Sequence, residues 1–181
     1  EFSRYAENND KYLQQCFDLI RLKKTITENR AAIIRTQAHM DALKIWLELD
    51  IPMQFKGTKN TRCFIGVIPG ERTEESILTE IASLCPELEM LHVEVISSFK
   101  EQTCVAVICH NEVSEQTNEV LRQAGFVFPS NGESQEPKLR MQQYENEIDK
   151  YNSEIEDCIN KIKAYSDKMN EIEFLSDYLV M

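Results

Sequence analysis

The sequence predicts an α+β chain: a long antiparallel two-helix coiled coil with a small α/β lobe inserted at its tip. Three observations predict it. Residues 141–172 carry an apolar 3-4 repeat, residues 5–47 carry an apolar column every seven positions, and short β-branched runs separated by turns lie between them. Of the 181 residues, 28% are charged, and only five Gly and five Pro are present, which favours helix over loop-rich β architecture.

The C-terminal helix has the clearest pattern. Met141, Tyr144, Ile148, Tyr151, Ile155, Cys158, Ile162, Tyr165, Met169 and Ile172 follow one another in steps of three and four. That spacing is the seam of a left-handed coiled coil, and the residues between are mostly Glu, Asp, Lys, Asn and Ser. Pro137 suits a first helical turn, where a missing N–H costs little. In the N-terminal helix, Tyr5, Tyr12, Leu19, Ile26, Ile33, Met40 and Leu47 form the column, flanked by Leu13, Ile20 and Ile34. The alternate seam positions are then Asn9, Cys16, Lys23, Arg30, Gln37 and Lys44. Antiparallel pairing that matches apolar positions sets Met40 with Ile148, Ile33 with Ile155, Ile26 with Ile162 and Leu19 with Met169. The two numbers in each pair total 188.

The insert reads as six elements. "TRCFIGVI" (61–68) is a strand ended by Pro69-Gly70. "ERTEESILTEIASLC" (71–85) is a helix with acidic residues at its start and Ile77, Leu78, Ile81 and Leu84 on one face. "LHVEVIS" (91–97) and "TCVAVIC" (103–109) are strands, "NEVSEQTNEVLRQA" (111–124) is a helix ending at Gly125, and "FVF" (126–128) is a last strand stopped by Pro129. The order β-α-β-β-α-β is that of a ferredoxin-like sandwich. The domain boundaries are 1–56 for the first helix and junction, 57–133 for the lobe and 134–181 for the returning helix.

Charge and composition exclude several functions. The formal charge of −11 repels phosphate backbones and anionic lipid, which argues against nucleic acid as a partner. The longest clean apolar run, 104–109, is far short of the roughly 20 residues of a membrane helix. The opening Glu1-Phe2, without Met, reads as the start of an excised fragment. Six cysteines without a C-x-x-C pair read as free thiols, and His39, His92 and His110 have no ligand-like spacing, so no metal is expected. Five glycines never form a phosphate-cradling loop, so no cofactor is expected either. His110-Asn111 reads as a helix-start loop, the basic "KGTKNTR" (56–62) as a solvated linker, and Trp46 as a packing anchor. No catalytic site is expected.

One stretch is motif-specific. Trp46, Leu49, Asp50, Ile51, Pro52, Gly57, Thr58, Lys59, Thr61, Phe64, Gly66 and Pro69 spell W-x-x-LDIP, G-T-K-x-T and F-x-G-x-x-P in order. With an α/β insert and a returning helix, this resembles subunit I of prokaryotic V-type (A-type) rotary ATPases, the counterpart of subunit a. The resemblance implies a non-catalytic stator arm at the cytoplasmic face of the cell membrane, monomeric as a fragment. It would link the membrane proton-channel domain of subunit I to the peripheral-stalk subunits E and G and resist rotor torque. A lobe charge of −7 over 57–133 suits a basic partner surface. Glu112, Glu115 and Glu119, on one helix face, are the expected partner-binding residues. The alternative is a coiled-coil scaffold with a dimerising tip, which gel filtration with light scattering separates from the stator reading. A small-molecule sensor is a third reading, for which the sequence offers no pocket motif.

Overall fold

The structure is a computed structural model that describes the backbone of residues 2–99, 101–129 and 133–180, and the side chains of 13–99, 101–129 and 133–166. Helices α1 (Phe2–Leu43), α2 (Glu74–Leu84), α3 (Ser114–Gln123) and α4 (Pro137–Val180) accompany strands β1 (Thr61–Pro69), β2 (Leu91–Phe99) and β3 (Gln102–His110). The chain divides into two compact units, one of residues 1–39 with 144–181 and one of residues 40–143.

In the first unit α1 and α4 run antiparallel. Asn29 Nδ2 donates to Glu154 Oε2 at 2.9 Å, Tyr165 Oη donates to Asp18 Oδ2 at 3.5 Å, and the rings of His39 and Tyr144 stack with centroids 5.9 Å apart. The numbers of each pair total 183, five fewer than the apolar matching predicted. The cause lies in α1. None of Gln15, Leu22, Asn29 and Thr36, which alternate with Leu19, Ile26 and Ile33, is exposed, so one of the two seam columns contains polar residues. The flanking column of Leu13, Ile20 and Ile34 is instead 56%, 64% and 71% exposed. In α4 none of the expected seam residues from Met141 to Tyr165 is exposed. Met169 and Ile172 lie outside the residues whose side chains are described.

The second unit is built on a three-stranded antiparallel sheet of order β1-β3-β2. Alternation sorts its side chains. Phe64, Ile68, Val93, Val105 and Val107 join Ile77 and Ile81 of α2 and Val120 and Leu121 of α3 in one buried cluster. On the opposite face Cys63, Ile65, Cys104 and Ala106 are also buried. There Ser97 Oγ donates to Ile45 O, the 3-10 turn Lys44–Trp46 packs on β2, and Met53 shares a cleft with Cys63 and Ile65. Trp46, Leu49 and Met53 are buried at 3%, 3% and 7% exposure, so the sequence after α1 forms a cover for the second face. That is why α1 ends at Leu43 and the expected seam residue Leu47 falls beyond it.

Local chemistry fixes the element ends. Thr73 and Ser76 form a reciprocal capping box at the start of α2. Ile77 and Ile81 are buried on this helix, whereas Leu78 and Leu84 are 40% and 44% exposed at the edges of the expected face. The hydroxyl of Thr103, 0% exposed, accepts from Arg72 N and donates to Gly70 O, which pins the loop into α2. After α3, Phe126 N donates to Leu121 O and Gly125 N to Arg122 O, with Gly125 at φ +82. This doubly bonded ending uses a left-handed glycine. The expected strand at 126–128 is reduced to one bridge, in which Val127 and Val67 exchange N–H···O bonds of 2.9 Å. The helix ending on one side and Pro129, which has no N–H, on the other leave room for a single pair. Gly66 serves this bridge, because a Cβ there would lie 2.4 Å from the Phe126 ring and 2.5 Å from Val127 O.

Candidate partner-docking surface

The three expected partner-binding glutamates share the outer side of α3 and of the 3-10 turn before it, Asn111–Val113. Thr117, Val120 and Leu121 face inward and are buried, and Thr117 Oγ1 donates to Val113 O at 2.8 Å. Glu115 and Glu119 stand two residues either side of Thr117. At about 100° per residue this aims both away from the core. Glu112, Glu115 and Glu119 are all exposed.

Their charges are not equivalent. Glu119 Oε1 accepts from Arg122 Nη2 at 2.8 Å and from Gln123 Nε2 at 3.4 Å. The Arg122 hydrogen bond, with help from Gln123, holds its carboxyl below the usual range. Glu112 Oε2 lies 3.6 Å from His110 Nδ1, which also accepts from Glu112 N. Glu115 lines an open cleft of about 590 Å³ with Arg62, Phe64, Asn111, Asn118 and Phe128. The face is therefore mixed: a paired carboxylate, one beside a histidine and one at the rim of a cleft that an arginine also lines.

The "KGTKNTR" segment makes a tight turn. Thr58 N donates to Thr61 O at 2.9 Å, the two hydroxyls meet at 2.8 Å, and Cys63 N donates to Lys56 O at 3.0 Å. Gly57 has φ +112, and a Cβ there would sit 2.1 Å from Thr61 O, so glycine is required. Asn111 clamps the turn by donating its Nδ2 to Lys59 O at 2.7 Å and its backbone N to Asn60 O at 3.0 Å. The glycine and threonines of this motif thus have structural roles, while Lys56, Lys59 and Arg62 are exposed.

One exposed feature escaped the sequence reading. Val127 and Phe128 are 64% and 57% exposed, and Phe128 meets Phe126 edge-on at 5.1 Å. Two further open clefts of about 350 Å³ each border Phe128, one toward Met53 and Ile65 and one toward Pro69 and Gly125. Alternation, with Phe126 turned inward, was the available signal for the exposure of Val127; it sets Phe128 on the Phe126 side and so gave no signal for Phe128.

All six cysteines are free; Cys63, Cys104, Cys109 and Cys158 are buried, Cys85 is half-buried and Cys16 exposed. Burial, aided by Cys109 and Glu94, pushes the Cys63 thiol up to about 11, and burial also raises Cys104 against a hydrogen bond with Ser97. Such thiols are poor nucleophiles. Among the described residues no group of three or more His, Cys, Asp or Glu could hold a metal ion. Among the same described residues no helix is long and apolar enough to cross a membrane.

No protein-family model matches the chain, and no curated protein matches it. Among solved structures, the chain is similar to the crystal structure of the cytoplasmic N-terminal domain of subunit I, homologue of subunit a, of a V-ATPase. The likeness has a TM-score of 0.53 at 10% identity over 84% of this chain. It spans 51% of the other chain, about half its length. At that identity the likeness is one of fold.

Proposed function

We propose that this chain is a non-catalytic stator arm of a proton-translocating V-type ATPase or ATP synthase, working at the cytoplasmic face of the cell membrane. The observation that carries the proposal is the fold likeness to a subunit I N-terminal domain over 84% of the chain. The Trp46–Pro69 motif supports it, because its residues have defined structural roles: Trp46 and Leu49 cover the sheet, Gly57 turns, and Gly66 admits Phe126. In this reading α1 and α4 are the coiled-coil arm (within 1–56 and 134–181), and 57–133 is a ferredoxin-like lobe whose fourth strand has shrunk to Val127. The lobe binds the peripheral-stalk subunits E and G, and the arm joins the rest of subunit I and its membrane domain.

The contact face is that of Glu112, Glu115 and Glu119, with Glu115 contributing most because Arg122 already engages Glu119. Titration calorimetry against the purified E–G heterodimer tests this. Reversing the three to Lys is expected to weaken binding about tenfold at low salt, with the difference shrinking as salt rises. Unchanged affinity with an intact fold removes this face. No binding by the parent chain at any salt removes the stator reading. The rival scaffold with a dimerising sheet edge has less support. Val95 N on the β2 edge donates to Glu74 Oε1, a bulge interrupts β2 between Val95 and Ser97, and β1 is bridged by Val127. Such features blunt edge-to-edge pairing.

A further inference from the structure

We infer that α1 has a second helix-docking face, opposite the one that meets α4, which takes an acidic amphipathic helix of another protein. From Leu13, steps of four and three lead through Phe17, Ile20, Lys24 and Thr27 to Ala31 and Ile34. Leu13, Phe17 and Ile20 each precede a seam residue, Leu22, Ile26 and Asn29, by nine positions. At 100° per residue that is about half a revolution. These side chains stand away from α4, with Leu13, Phe17, Ile20 and Ile34 between 56% and 71% exposed. Their 3-4 spacing is the one that another helix reads; a strand would need alternation.

Charge identifies the occupant. Residues 13–38 carry five basic and two acidic side chains. Asp18 pairs with Arg21 at 3.3 Å and Glu28 with Lys24 at 3.8 Å. That leaves Lys23, Arg30 and Arg35 exposed along the flanks, with no ion pair among the described residues. A helix with an apolar 3-4 repeat and Glu or Asp beside it satisfies both the stripe and the flanks. A second copy of this chain does not. Its α1 would set like charges together, and on its α4 Leu139 is the lone exposed large apolar residue among those described. A lipid surface suits the stripe less well, since Lys24 and Thr27 interrupt its middle. The inference does not depend on the stator reading.

The test uses the whole chain and two labelled synthetic helices of about four heptads, both with Leu at the seam positions. One has Glu at the flanks and its twin has Lys. Fluorescence anisotropy at low salt is expected to show the Glu peptide binding at least about tenfold more tightly than the twin, with affinity falling as salt rises. The F17E/I20E double variant should lose that binding while keeping the parent's circular dichroism and melting temperature, because both residues are exposed. No binding of the Glu peptide, equal binding of the twin, or binding retained by F17E/I20E overturns the inference. So does concentration-dependent dimerisation, or adsorption to vesicles of phosphatidylglycerol and phosphatidylcholine, if F17E/I20E abolishes either.

Discussion

The two units of this chain bury side chains to different depths, and the difference follows from geometry. In residues 40–143 helices cover one sheet face and the 44–53 segment the other, so Val105 and Val107 reach 0% exposure and Ile77 and Leu121 reach 1%. In the α1–α4 pair each helix offers one stripe to one neighbour. Within residues 1–39 and 144–181 the most buried described residues are Tyr144 at 5%, Cys158 and Thr36 at 7% and Asn29 at 8%. A site that stays near water tolerates Asn and Thr, since polar groups there need not give up every hydrogen bond to solvent. The sheet unit tolerates buried hydroxyls only where, like Thr103 and Thr117, they are bonded.

The sharpest way to break this comparison is to truncate one deep and one shallow residue. Ile81→Ala, at a site 2% exposed, should cost about 2–5 kcal/mol in urea unfolding. Ile155→Ala, at a half-buried seam position, should fall within about 0.5–3 kcal/mol and below the Ile81 value. Equal costs would mean that exposure does not report the depth of packing here. Gly66→Ala should rank next, costing about 1–3 kcal/mol, because its Cβ would enter the Phe126 ring and Val127 O. Hydrogen exchange at Val127 should rise in that variant if the bridge opens. Unchanged stability and exchange would show that the bridge adapts freely.

Legibility in the sequence follows the same contrast. The α4 seam was readable because its apolar residues never miss a step, and three strands were readable from β-branched runs. The α1 seam was half hidden, since Gln15, Asn29 and Thr36 occupy positions where periodicity looks for apolar residues, and Leu13 and Ile20 supplied a competing column. The fourth strand was overread: "FVF" has strand composition, but a helix ending and a proline flank it too closely. For the candidate site, spacing alone placed Glu112, Glu115 and Glu119 on one outer face. The Glu119–Arg122 pair was also readable from its three-residue spacing. The Arg62–Glu115 cleft was not, because it depends on how β1 and α3 come together.

The smallest expected effect on stability tests the register itself. Apolar matching favours pairs totalling 188, yet Asn29–Glu154, Asp18–Tyr165 and His39–Tyr144 all total 183. A hydrogen-bonded polar pair at a seam can select one register at some expense of stability. In the 188 arrangement Asn29 would leave Glu154 and lose that bond. Thr25→Cys, combined with native Cys158 and with the other cysteines replaced, reports the 183 register through disulfide formation. Ile33→Cys with Ile155→Cys, in a background lacking all native cysteines, reports the 188 register. The two registers differ by five residues, about 7.5 Å of axial shift, too far for one arrangement to close both bridges well. The 25/158 pair should therefore oxidise much faster than 33/155. Adding Asn29→Leu should narrow that difference while changing stability by no more than about 1 kcal/mol, because added apolar contact offsets the lost hydrogen bond. Faster closure of 33/155 without Asn29→Leu would refute the 183 register. An unchanged ratio of rates with Asn29→Leu would show that Tyr165, His39 and the apolar contacts hold the register without Asn29.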